Sequence, residues 1–357
     1  MNYEEFKNRL ENDLKDTLQG KGFEDVRMDF HDITKANEIY EALTVTPANS
    51  NIGVNVNLDA FFEAYDKGMD YHDVLSRVTE ITTNAMDQMP VVDVEKLGDY
   101  EHMKGKLSVE VVSKESNQEL LANVPYRDME DMAIIYRFIL DEGQNGMQTI
   151  TVTNDILERM GVDPEQLHAD AIANAPEMRP PVIKGMTEIL KEMMGEEMFD
   201  LLEQTMQPDG TEMLYVATTP DKINGAGILA YPEFMAQAAE QLNGSFFVLP
   251  SSRHEVILVK DDGAIEAESL QAMVCQVNAT EVSAVDKLTD SVYHYDCDSK
   301  VFELASDFND RMMEKDGIDD DKGSVLKDLG DKKKEVADKP AKDVADKATK
   351  TKGGDAI

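Results

Sequence analysis

The side chains best suited by type to chemistry gather in one stretch, Pro250-Ser251-Ser252-Arg253-His254-Glu255. Read as an enzyme, it offers a hydrolase-like centre on Ser252, His254 and Glu255. His254 would be the general base, Ser251 or Ser252 the nucleophile and Arg253 an anion clamp. Alternation along a strand puts Ser252 and His254 on one face, but no G-x-S-x-G elbow accompanies them. The reading these residues favour is a turn between two strands whose hydroxyls bond their own backbone. A second stretch, Lys222-Ile223-Asn224-Gly225-Ala226-Gly227, has the look of a phosphate loop without its spacing, and is expected to be a hairpin turn. The histidines at 31, 72, 102, 168, 254 and 294 show no H-x-x-x-H, and Asp319-Asp320-Asp321 lacks the spacing of a calcium loop. Neither a metal nor a cofactor is expected.

Both stretches belong to one unit, Met213 to Lys260. Four apolar, β-rich runs (Met213–Thr218, Ala226–Ala230, Ser245–Leu249 and Val256–Val259) predict strands. Between the second and third, Tyr231, Phe234, Met235, Ala238 and Leu242 recur at helical spacing, ended by Asn243-Gly244. The pattern predicts a β-β-α-β-β unit.

The remaining periodicities extend this to an α+β fold with mixed or antiparallel sheets and packed helices in two sub-domains. In residues 1–124, Phe6, Leu10, Leu14 and Leu18 share one helical face, followed by strands near Val26, Ile39–Thr46 and Ile52–Val56. Two helices follow, over 58–65 and 70–88, and then a strand over 107–112. Residues 125–313 open with a hairpin, Met132–Leu140 against Met147–Val152. Helices follow, including a Met-rich helical segment over 182–206 broken near Gly195. After the central unit come a helix near 265–277 and an edge strand at Val292–Tyr295. From residue 314 the chain holds 11 Lys against 12 acids and few apolar side chains, which predicts a disordered charged tail over 314–357.

A formal charge of −37 repels phosphate backbones, so direct nucleic-acid binding is not expected, while basic partners are attracted. Two cysteines, Cys275 and Cys297, make no disulfide framework. The first residues lack a signal-peptide pattern and no apolar run is long enough for a bilayer, so a cytoplasmic, soluble protein is expected. Methionine reaches 21 residues. Exposed thioethers among Met186, Met193, Met194 and Met198 would suit a protein partner, with Asn224 and Arg253 as further binding candidates. A protein-binding module without catalysis is the favoured function. The alternatives are the hydrolase-like enzyme and an acidic nucleic-acid mimic directed at basic proteins.

The run YVATTPDKINGAGILAYPEF (215–234) and its continuation to Val259, with Val277–Asp296 and Asn55–Val78, resembles a bacterial family of uncharacterised proteins, domain of unknown function 5688. The order of segments is more distantly similar to domain of unknown function 1444. The resemblance covers roughly residues 1–313 and implies no reaction, cofactor or catalytic residue.

Overall fold

Helix α1 (Tyr3–Gly20) begins on a capping box in which Asn2 and Glu5 exchange side-chain and backbone hydrogen bonds. Its four-residue apolar repeat then buries Phe6, Leu10, Leu14 and Leu18 completely. They pack on an antiparallel meander of β1 (Arg27–Lys35), β2 (Glu38–Thr46) and β3 (Val54–Asn57). Helices α2 (Leu58–Asp66) and α3 (Tyr71–Asp87) complete an apolar core drawn wholly from this N-terminal lobe. A two-residue turn, Ala36-Asn37, joins β1 to β2, with Asn37 left-handed at φ 60°.

The computed structural model describes residues 1–48, 50, 53–87, 94–143, 146–195, 199, 212–250 and 252–315. The predicted tail beyond 315 and the residues at 200–211 lie outside the described residues.

Short helices α4 (Val94–Leu97) and α5 (Tyr100–Met103) lead into β4 (Leu107–Ser113). After α6 (Gln118–Leu121) come β5 (Tyr126–Met129), β6 (Met132–Gly143) and β7 (Gly146–Thr151). The long strand β6 pairs antiparallel with all three other strands of this sheet. Because β4 precedes residue 125 and pairs with β6, the sheet draws strands from both sides of that sequence boundary. Helices α7 (Asn154–Met160) and α8 (Pro164–Met178) follow, capped by Thr153 and Asp163.

The largest sheet is antiparallel and ordered β13-β12-β10-β11-β9-β8. Its strands are β8 (Val182–Gly185), β9 (Leu214–Thr218), β10 (Phe246–Leu249), β11 (Val256–Lys260), β12 (Tyr293–Asp296) and β13 (Val301–Leu304). Strand alternation sends Phe246, Val248 and Leu258 into a core shared with the four-stranded sheet and with α10 (Phe234–Leu242). It sends Phe247, Leu249 and Val259 to the opposite face, under α11 (Ala267–Thr280). Helices α9 (Met186–Met194) and α12 (Ala305–Lys315) complete the described elements. The fold is α+β, with packed helices on antiparallel sheets.

Three expectations are corrected. Residues Ala226–Ala230 are not a strand but part of a 3-10 helix, Gly225–Ala230, so the unit reads strand, 3-10 helix, helix, strand, strand. Backbone bonds from Gly227 to Asn224 and from Tyr231 to Ile228 close its turns, and its apolar side chains enter the core instead of a sheet. The segment predicted helical from 182 opens as edge strand β8. Pro181 biases Pro180 toward extended backbone, and the β-branched Val182 and Ile183 continue it by pairing with β9. Strand β12 is not at an edge, because a turn through Lys300 (φ 57°) folds β13 back onto it.

Candidate functional site

The Pro250–Glu255 turn joins β10 to β11 and is built into its surroundings through Ser252, Arg253 and His254. His254 accepts the Asn224 N–H at Nδ1 (3.1 Å), which leaves the ring proton on Nε2, 3.0 Å from Asp286 Oδ1. Its carbonyl accepts from Thr218 Oγ1 (2.7 Å). The Ser252 hydroxyl accepts the His254 backbone N–H (3.0 Å), so it is joined to the peptide of His254 and not to its ring. Ser251 lies outside the described residues. The carboxylate beside the imidazole is Asp286, not Glu255. Burial pushes the Asp286 carboxyl up, but hydrogen bonds from Ser283 and His254 outweigh it and hold the group below the ordinary carboxylate range.

Asn224 is delivered by a tightly held loop. The buried Arg179 guanidinium lies 3.0 Å from Thr219 Oγ1 and 2.8 Å from Asp221 Oδ1, and donates to the Ile223 carbonyl. Asn224 is left-handed at φ 49°. The next residue, Gly225, has no room for a β-carbon, which would collide with Thr218 Oγ1 and the His254 carbonyl oxygen. Gly225→Ala is therefore expected to cost at least about 2 kcal/mol in denaturant unfolding; a cost near zero would show that the loop yields without disturbing the turn.

Arg253 is the centre of a clasp. Its backbone N–H donates to the Asp286 carbonyl (2.8 Å), its Nε to Asn224 Oδ1 (3.1 Å) and its Nη1 to the Ala36 carbonyl (3.3 Å). Its Nη2 stands 3.6 Å from Glu110 Oε1, and the other oxygen of Glu110 accepts from Arg137 Nε. Glu110 is 1% exposed, and each arginine side chain is 18% exposed. The pairing follows from register: Glu110 of β4 opposes Ile135 of β6, and Arg137 lies two residues on, across the diagonal of the same face. Next to the clasp, Asn37 receives a hydrogen bond from Asn117 Nδ2 (2.7 Å) and donates from its own side chain to the carbonyls of Val285 (3.0 Å) and Lys287 (2.7 Å). The tip of the β1–β2 hairpin is thus seated in a socket of which the turn is one wall.

The structure puts two of the sequence-derived binding residues, Asn224 and Arg253, in direct contact. They line a cleft of about 980 Å³ that also takes in Arg137 and Asp286, while Ser252, His254 and Glu255 are not among the described lining residues. The methionines sit apart on α9: Met193 is 78% and Met194 43% exposed. Met186 is half-buried, and Met198 lies outside the described residues. Glu110, Arg137 and Asp286 escaped the sequence reading. The first two had a signal, since each is a lone charge inside an apolar strand run, Leu107–Ser113 and Met132–Leu140.

The imidazole is committed to two hydrogen bonds, and neither goes to the Ser252 hydroxyl. His254→Ala is expected to cost about 1–2 kcal/mol, measured by denaturation, from the unpaired Asn224 N–H. A folded His254→Ala protein that loses turnover on a substrate of the parent chain would instead make this turn catalytic. No group of three or more His, Cys, Asp or Glu among the described residues is arranged to hold a metal. No described helix is long and apolar enough to cross a membrane.

A model for a family of unknown function (DUF5688) matches residues 3–297. No curated protein and no solved structure matches the chain.

Proposed function

The chain belongs to the DUF5688 family of unknown function, and we propose that it is a binding module without catalysis, docking a basic amphipathic segment of a protein partner on the exposed thioethers of α9. The observation that carries this reading is the exposure of Met193 and Met194 on a helix that buries none of its residues. Thioethers are flexible and polarisable, and so adapt to varied apolar side chains. Charge selects the partner's other face. The segment 182–206 holds two lysines against six acids, in a chain of net −37. Exposed Glu188 and Glu192 flank the thioethers, with Lys184 bridging them at 3.5 Å from Glu188 and in contact with Glu192. A basic helix with an apolar stripe satisfies both features. The free thiols of Cys275 and Cys297 suit a cytoplasmic setting.

Mild peroxide is expected to oxidise Met193 before the buried Met103 and Met132, as read by peptide mass mapping. A model basic amphipathic peptide, of leucine and lysine, should protect Met193 from oxidation and bind at least tenfold more weakly to a Met193→Glu, Met194→Glu double variant. Equal affinity for both proteins would remove α9 as the docking face.

A further inference from the structure

The cleft beside the clasp has no residue of α9 among its described lining. We propose that it is a binding site for a small organic anion, a carboxylate with an apolar body. Two observations meet there. The first is composition: a volume of about 980 Å³ suits a small ligand, and Val54, Ala85, Leu97 and Leu140 are among its lining residues. The second is a pair of guanidinium groups lining the same cleft. Arg137 and Arg253 share one carboxylate, Glu110, whose Oε1 makes no hydrogen bond and is fully enclosed. Arg137 spends Nε on Glu110 and one Nη1 hydrogen on Thr149 (3.3 Å). Arg253 spends Nε on Asn224 and one Nη1 hydrogen on Ala36. Three of the five N–H groups on each guanidinium therefore make no hydrogen bond among the described residues.

The acids on the cleft wall are engaged within the protein: Asp286 with His254 and Ser283 and, by charge, with Arg253, and Glu38 as acceptor from Asn57 Nδ2 (3.1 Å). Lys35 adds a third cation to the lining. In a chain of such negative charge, a carboxylate meets repulsion almost everywhere on the surface. Here it would meet two forked donors on a partly dry wall, where charge-assisted bonds are strongest. Its apolar body would cover the aliphatic wall.

The test is calorimetric titration of the full chain with decanoate, decan-1-ol and inorganic phosphate. Decanoate should bind with one-to-one saturation, and the alcohol and phosphate each at least tenfold more weakly. Arg137→Lys keeps the charge but loses the fork, and should weaken decanoate at least tenfold. Ala85→Trp fills part of the cleft from its α3 side and should weaken decanoate at least tenfold. The proposal is overturned if decanoate does not saturate, if phosphate or the alcohol binds as tightly, or if both variants bind decanoate like the parent chain.

Discussion

Replacing Glu110 with alanine is expected to lower the unfolding free energy by about 3 kcal/mol, near the lower end for removing one member of a buried ion pair. The lower end applies because Arg137 and Arg253, each 18% exposed, can recruit some water once their shared carboxylate is gone. Part of the loss comes from two like charges left facing one another, and part from the hydrogen bond by which Arg253 holds Ala36. Urea denaturation of the single variant and of Glu110→Ala with Arg137→Ala separates these contributions. The double variant should recover some of the loss, since it no longer strands a second cation. A cost below about 1 kcal/mol for the single variant would mean the arginines do not depend on Glu110.

Alkaline conditions should unfold the protein before its tyrosines titrate freely. Burial pushes Tyr136 and Tyr231 up to about 12. Burial, joined by hydrogen bonds to carboxylates, pushes Tyr3, Tyr71, Tyr100 and Tyr293 up as well, their partners being Asp59, Asp13, Asp170 and Asp131 respectively. The folded state keeps these protons at a pH where the unfolded chain, with ordinary phenols near about 10, releases them. Stability from these groups is therefore intact below about 10 and is lost as pH rises from there through the folded values. Tyrosinate absorbance and far-ultraviolet dichroism should change together between about pH 10 and about 12. Absorbance that rose fully while the dichroism stayed native would show that these hydroxyls are open to solvent.

What could be read from the residues was periodicity. The four-residue repeat of α1, the alternation of β1 and β3 and the long run of β6 each carry their burial in their pattern, and all are where that pattern puts them. Residues 226–230 show where pattern stops being enough. Five small or apolar residues in a row suit a strand or any other buried segment equally. The decision lay with Gly225 and Gly227, whose missing side chains admit the backbones of Thr219 and Val109. The turn at 250–255 was legible as a structural turn, but not as a socket. Its partners Ala36, Glu110 and Asp286 come from three distant parts of the chain, and nothing local marks them as neighbours. The same distance hid the cleft, since Arg137 and Arg253 converge only after both sheets have formed.

The hairpin tip and its socket also impose an order of events on the growing chain. The lobe of α1–α3 and β1–β3 draws its core from the first 86 residues, so a ribosome releases everything that core needs long before the chain is complete. The carbonyls that receive Asn37 belong to residues 248 and 250 positions further along. At ordinary elongation speeds of ~5–20 residues per second, the finished tip waits on the order of ten seconds or more for the segment that will enclose it. During that interval Ala36 and Asn37 are a small, preformed plug on a folded lobe, held ready by local contacts whose closure cost is low. A late long-range step in assembling the molecule is therefore the arrival of a socket at a plug that is already shaped.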